Sequence, residues 1–395
     1  MRFATSASIV ALAASSFVNA APIRRAAAPQ DLLVLTFAHV LEQFETQFYT
    51  QALAKFQVSD FTSAGFADAN VPIQQFTSIQ SDESTHTDIL ASTITSQGGT
   101  PLTNCTFNFD SALVDVPTMA ATARIVENLG VSAYLGAASL LSDPVLLTAA
   151  ASILTVEARH QTVLNILSQG SAIPQAFDIP FTPSQVLAVA SSFISGCDLG
   201  IPANPTLSIT NTGSVGPGTS LTFSSAAING STDGLSCQML VGGAPFAIVL
   251  PLDQCVVPNG INGPVAIFVT SDPQPLLNNV RDQATNNLVA GPTIAFIDTS
   301  PEDIAELARG ASPSGSPTPT TASSTTTETL TPAEASAVLS SAGVPQPSAT
   351  DASASVAVPP PSATGSSDAG SSDESATPTS GAVVVDGFTS VPASA

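Results

Sequence analysis

Tryptophan is absent from these 395 residues, tyrosine occurs twice and histidine three times. Lysine and arginine together number 8, against 30 aspartates and glutamates, for a formal net charge of −22. A chain this poor in cations offers no basic face, which argues against nucleic acid and anionic membranes as partners. No segment has about 18 uninterrupted apolar residues, so no membrane-spanning helix is expected. The four cysteines contain no Cys-x-x-Cys pair, which speaks against a zinc or dithiol redox site. Plausible elements carry no Ser/His/Asp or Cys/His arrangement, and no phosphate-binding glycine loop precedes a helix, so nothing supports hydrolysis or nucleotide binding.

What is present begins with a secretory signal. Arg2 supplies the positive start, Ile9 to Phe17 a short apolar core, and Val18-Asn19-Ala20 a small-residue cleavage site. Residues 1–20 are therefore expected to be a signal peptide. Residues 21–29 read as a propeptide or linker, with Arg24 and Arg25 as a dibasic processing site. A secreted location, extracellular or in the cell wall, makes two disulfides the expected use of Cys105, Cys197, Cys237 and Cys255. Three pairings are possible. Cys105–Cys197 with Cys237–Cys255 is favoured, because each bond then stays within one region. Asn104 and Asn229 head glycosylation sequons, in keeping with secretion.

Apolar residues recur at helical spacing over 30–57, 72–97, 117–141, 143–169 and 183–196. Four long helices and a shorter fifth make an all-α bundle over 30–197. The connector 98–116 is longer than a tight turn and suits a crossover between helix pairs. From 203 to 300 the helical period vanishes. Short β-rich runs at 206–210, 220–224, 246–250, 265–270 and 293–297 suggest a small all-β sandwich. Residues 310–395 are mainly Ser, Thr, Pro, Ala and Gly, which cannot bury enough apolar surface to offset chain entropy. That tail is expected to be disordered, resembling an O-glycosylated stalk.

The scarce polar residues fall in a repeated pattern. Glu42-x6-Tyr49 precedes Glu83-x-x-His86, and Glu127-x6-Tyr134 precedes Glu157-x-x-His160. On helices these positions continue seams that are otherwise Ala, Leu, Ile and Phe, so they should meet at the bundle axis. Several buried carboxylates need positive charge among them. Arg124 lies one turn before Glu127 and can pair with it, but one pair cannot neutralise four carboxylates. Arg159 lies on another face of its helix. Two metal cations are the remaining answer, and carboxylate oxygens with imidazole suit iron or manganese. His39 reads as a structural histidine off the seam.

A glutamate from each of two helices plus Glu-x-x-His from each of two others resembles the di-metal site of the ferritin-like superfamily. The resemblance covers about residues 30–197. It is nearest to secreted fungal ferritin-like stress-response proteins, related to plant desiccation-related proteins, and rests also on the Leu41-Glu-x-x-Glu-x-x-Phe-Tyr49 run. It implies Glu42 and Glu127 as terminal carboxylates, Glu83 and Glu157 as bridges, and His86 and His160 capping one metal each. It implies Tyr49 and Tyr134 as hydrogen-bond donors behind the ligands or as redox-active phenols. Glu45 has no mate on helix three, where Gly130 stands. It is a fifth ligand, an alternative to Glu42, or a base behind the ligands. The implied cofactors are two Fe or two Mn ions, and the implied partners are small oxidants. Two functions remain open: a di-metal oxidoreductase acting on Fe(II), O2 or peroxide, or a non-catalytic stress or wall protein with a structural or relict site. In the second, the β region and tail would adhere to cell-wall polysaccharide.

Overall fold

The structure, a computed structural model, describes residues 28–283, 285–299 and 302–309, with two further backbone segments at 384–386 and 389–391. The expected signal peptide, the propeptide up to residue 27 and almost all of the expected disordered tail lie outside the described residues. The chain divides into two units, residues 1–316 and 317–395. In the second, only an antiparallel pair, Val384–Asp386 with Thr389–Val391, is described.

The first unit opens with four long helices: α1 (Pro29–Lys55), α3 (Asn70–Ser96), α4 (Val116–Ala137) and α5 (Pro144–Leu167), with a one-turn-and-a-half helix α2 (Val58–Ser63) after α1. Local chemistry sets their ends. Asp115 and Asp143 cap α4 and α5 by accepting from the backbone N–H of Thr118 and Val145, each at 2.7 Å. Proline stands in the first turn of α1, α4 and α5, where its missing N–H costs nothing. Gly98, at φ 87°, follows α3. α1 packs mainly on α3, and α4 on α5. Leu35 near the start of α1 meets Leu90 and Ile94 near the end of α3, so that pair is antiparallel. Arg124 near the start of α4 meets Asn165 near the end of α5, so the second pair is antiparallel too.

Helix α5 ends one turn before Gly170, but that glycine is not its left-handed cap. Gln169 takes the positive φ, 64°. Gly170 is needed for room, because a Cβ there would collide with the Arg124 guanidinium and the Asp298 carboxylate. Gly136 likewise admits the backbone of Phe181, whose N–H donates to Ser132 O at 2.9 Å.

The expected fifth helix is shorter than the sequence suggests. α6 spans Pro183–Ala190, followed by a 3-10 turn, Ser191–Phe193. β2 (Ile194–Ser195) then leaves the helix to pair antiparallel with β1 (Thr106–Phe107) in the crossover connector. Beside that pair, Cys105 and Cys197 are disulfide-bonded across 92 residues, tying the crossover to the end of the helical region.

Small antiparallel sheets follow. β3 (Ser208–Ile209) pairs with β4 (Phe223–Ser224). β5 (Ser236–Val241), β6 (Ile248–Pro251), β7 (Gly263–Thr270) and β8 (Leu288–Ile297) form one sheet in the order β6-β5-β7-β8. Cys237 on β5 is bonded to Cys255. Every residue of β7 is buried, because its two faces serve two cores. Val265, Ile267 and Val269 join the β region's own core. Ala266 and Phe268 join a second core with Phe37, Leu41, Leu129 and Ala133 of the bundle and with Val186 and Leu187 of α6. Helical and β parts therefore share apolar packing. A last helix, α7 (Asp303–Arg309), returns to the bundle, where Arg309 donates to Leu167 O at 2.9 Å and Ala64 O at 2.8 Å.

Candidate metal centre

Four glutamates, Glu42 on α1, Glu83 on α3, Glu127 on α4 and Glu157 on α5, are completely buried at the bundle axis. His86 and His160 lie one turn beyond Glu83 and Glu157 and bring their Nδ1 atoms to the same place. His86 Nδ1 stands 3.2 Å from Glu42, 3.1 Å from Glu83 and 3.5 Å from Glu157. His160 Nδ1 stands 2.8 Å from Glu83 and 3.2 Å from Glu127. Two groups of potential ligand atoms result, each within 4.8 Å: Glu42, Glu83, His86 and Glu157, and Glu83, Glu127, Glu157 and His160. Glu83 and Glu157 belong to both groups.

The arrangement has an approximate two-fold that exchanges α1 with α4 and α3 with α5. The tyrosines obey it by crossing over. Tyr49 O–H donates to Glu127 at 2.6 Å, and Tyr134 O–H donates to Glu42. Each phenol thus serves the glutamate of the other helix, not the one seven residues before it. Burial first, then the neighbouring carboxylates, hold both phenols well above the usual tyrosine range.

Charge is the central problem of this core. Burial, reinforced by the surrounding carboxylates, raises Glu157 and Glu45 well above the ordinary range and Glu83 to about 8. Burial alone would depress the histidines, but hydrogen bonds to the carboxylates outweigh it. His86 is pushed up to about 12 and His160 to about 11. Protons thus stand where cations would otherwise be needed. They do not satisfy every oxygen: Glu157 Oε2 is buried without a hydrogen-bond partner, while Glu83 Oε1 and Glu157 Oε1 face only the imidazoles of His160 and His86, at 2.8 and 3.5 Å. A buried acceptor left without a donor is costly, and this one belongs to a residue common to both ligand groups. The donor set of carboxylates and two imidazoles fits hard or borderline cations.

The other residues singled out from the sequence fall around this core. Glu45 is buried at its edge, outside both ligand groups, opposite Gly130. A Cβ at Gly130 would lie 2.5 Å from Glu157 Oε2 and 3.1 Å from Glu45 Oε1, so glycine is what gives Glu45 its space. His39 is buried elsewhere, with Gln43 Nε2 at 3.1 Å from its Nδ1. Burial lowers its pKa, opposed by Glu42. Arg124 does not pair with Glu127. It turns to Asp298, with two bonds of 2.7 and 2.8 Å, and donates to Asn165 at 2.8 Å. The β region supplies a carboxylate that nothing in the helical sequence announces. Arg159 lines a cleft between α3 and α5. Asn104 and Asn229 are both exposed.

One contact escaped the sequence reading. Asp82 on α3 lies 3.1 Å from His160 Nε2 on α5, and so engages the ring nitrogen that faces away from the carboxylates. A carboxylate there fixes the ring's orientation and makes it a better ligand. The two-fold counterpart is Val156, so the two halves are not equivalent. The only local signal is the Asp-Glu pair on α3, and its meaning depends on which helix lies opposite.

Two hollows reach the core. A cleft of about 380 Å³ between α3 and α5 exposes the edges of His86 and His160 beside Asp82, Gln75, Ser78 and Thr85. A cavity of about 110 Å³ at the end of the bundle formed by the start of α1 reaches Glu45, Gly130 and Tyr134. No described helix is long and apolar enough to cross a membrane. No curated protein matches this chain. Residues 30–170, which hold all four long helices and every member of the buried cluster, match the family described as Ferritin-like domain.

Proposed function

We propose that the bundle holds two iron or manganese ions and acts as a secreted oxidoreductase on Fe(II), dioxygen or peroxide. The observation that carries this reading is the pair of glutamates shared by both ligand groups, with Glu157 Oε2 left unpartnered inside the core. Glu83 and Glu157 would bridge the ions. Glu42 with His86, and Glu127 with His160, would complete one site each. Two metals held this way would supply electron transfer and Lewis acidity toward one small oxidant. The chain's own groups do the rest. Tyr49 and Tyr134 orient the terminal carboxylates through their O–H bonds. Asp82 holds the His160 ring, and the α3–α5 cleft gives ions and small polar oxidants a path to the histidine edges. Glu45 is the spare carboxyl, placed to accept or return a proton beside Glu157.

Location follows from the signal-like N-terminus and the disulfides, which are consistent with an oxidising compartment. The stress-response and desiccation-related resemblance fits a wall or extracellular role, with glycans at Asn104 and Asn229. A second reading rests on the complete burial of the four glutamates. Closed sites are characteristic of structural metals, and a non-catalytic wall or stress protein bound to polysaccharide through the β region and tail would use such a site.

The deciding experiment is elemental analysis of the chain secreted and purified without chelator, alongside Glu83→Ala/His160→Ala. About two Fe or Mn per chain, lost in the double variant, supports a di-metal centre. Fe(II) oxidation or peroxide turnover then separates the enzyme from the structural reading. A folded chain that stays metal-free after anaerobic loading with Fe(II) or Mn(II) overturns both metal readings.

A further inference from the structure

The two ends of the bundle differ more than its two-fold core predicts. Where α1 ends and α3 begins, buried rings fill the interior: Phe44, Phe48, Phe61, Phe76 and Phe109 close around Tyr49. At the other end, the corresponding packing is thin. Leu35, Leu90, Ile94 and Leu146 form a small cluster, and a cavity of about 110 Å³ remains beside it. The hollow has a cause in the sequence. Ala38, Gly130, Ala133, Ala137, Ala149 and Ala150 line it, where the opposite end has phenylalanines. Its larger walls are mostly aliphatic, among them Val34, Leu41 and Ile153, with Phe37 and Tyr134 the aromatic exceptions. Its mouth lies between Ile89 on α3 and Ala149 on α5, both exposed. Its floor is the Glu45–Gly130 contact with the carboxylate core.

From this asymmetry we propose that the cavity is a binding site for a small uncharged hydrocarbon-like molecule, seated with one end against Glu45. Volume and wall chemistry select that class. An apolar cavity of roughly 150 Å³ stays dry and takes benzene or xenon, and this one is of the same order. Charged and strongly hydrated molecules would lose their solvation to largely apolar walls without recompense. The polar cleft beside His86 and His160 opens from the same helix pair at another level, so ions and an apolar ligand have separate ways to one core. The inference rests on the cavity and not on the metal reading.

The test uses the full chain in chelator-treated and metal-loaded forms. Probes are xenon, followed by its NMR shift, and benzene and toluene, followed by thermal shift and titration, with benzoate as the charged control. Two variants fill the hollow from different helices, Ala137→Leu on α4 and Ala150→Leu on α5. The wild type is expected to bind xenon and benzene saturably and to reject benzoate. Each folded variant is expected to bind at least ~10-fold more weakly. Absence of saturable binding, or equal affinity in the filled variants, overturns the proposal. Benzene binding by a chain that takes up no metal leaves this site standing while the metal reading falls. Metal uptake without benzene or xenon binding does the reverse.

Discussion

Protons and metals compete for the same atoms in this core, and the competition has a sign. Glu83 keeps its proton up to about 8, against 4.5 for the ordinary group, so between those values the folded chain binds more protons than the unfolded one. His86 and His160 do the same from 6.5 up to about 12 and about 11. Stability falls with pH wherever the folded state holds more protons. The contribution of the histidines is full below their unfolded value and is lost as pH rises through the folded values. The metal-free chain is therefore expected to melt at a lower temperature at pH 9 than at pH 5, and Glu83→Gln to flatten the slope over pH 5–8. Metal binding, which expels these protons, should strengthen across the same range. Calorimetry with and without chelator checks both. A metal-free chain that gains stability with pH would contradict the charge account of the core. Gly130 offers a second check at this scale. Gly130→Ala pushes a methyl group against Glu157 Oε2 and the Glu45 carboxylate. It should keep its helical content while losing about 10- to 100-fold in metal affinity, the effect expected of disturbing a ligand's support. Unchanged affinity by titration would mean that Glu157 is free to move.

The long helices were legible from the sequence because their burial is one-sided, and β7 because its run of apolar residues is unbroken. The four long helices carry periodic apolar seams, and the glutamates and histidines on those seams do converge at the axis. Helices α2 and α7 span only 6 and 7 residues, too few to show a period. β5 was missed for the opposite reason. It is the inner strand beside β7, buried on both faces, so Ser236–Val241 has no alternation, and Gln238 breaks its apolar run. That glutamine is satisfied only in three dimensions, by Thr270, Gln274 O and the N–H of Leu276. Asp82 was hidden likewise, because its partner lies on another helix. Asp31 belongs to the same group. Nominally a first-turn acid of α1, it is 1% exposed and accepts from Ser142 N–H at 2.7 Å and Ser142 Oγ at 2.8 Å. It thus ties the α4–α5 turn to the start of α1. Asp31→Ala should cost about 1–3 kcal/mol in urea unfolding, from the orphaned N–H and hydroxyl, with metal content unchanged. A loss of metal in step with stability would place Asp31 among the supports of the centre.

At the scale of the whole first unit, a change in composition near residue 200 did not mark a break in packing. One core runs from Phe37 and Leu41 of the bundle through α6 to Ala266 and Phe268 of the sheet. Arg124 adds a polar tie on the same joint. Its guanidinium is forked onto Asp298, stacked 3.9 Å from the Phe296 ring, and held by Asn165. Fork and stack together are a use of arginine that lysine cannot copy. Removing one member of such a pair leaves a charge stranded in a poorly solvated place. With the Asp298 side chain keeping 27% exposure, Arg124→Ala should cost about 3 kcal/mol, the low end of the range for enclosed pairs. The chain carries separate reporters for the two parts. Both tyrosines lie in the bundle and there is no tryptophan, so tyrosine fluorescence follows the helices alone. Hydrogen exchange of the β5 and β7 amides follows the sheet. If the shared core makes one cooperative body, Arg124→Ala lowers both signals by the same free energy, and Arg124→Lys rescues little. A variant whose sheet amides exchange faster while the tyrosine transition stays put would show that the bundle holds its carboxylate core without the β region.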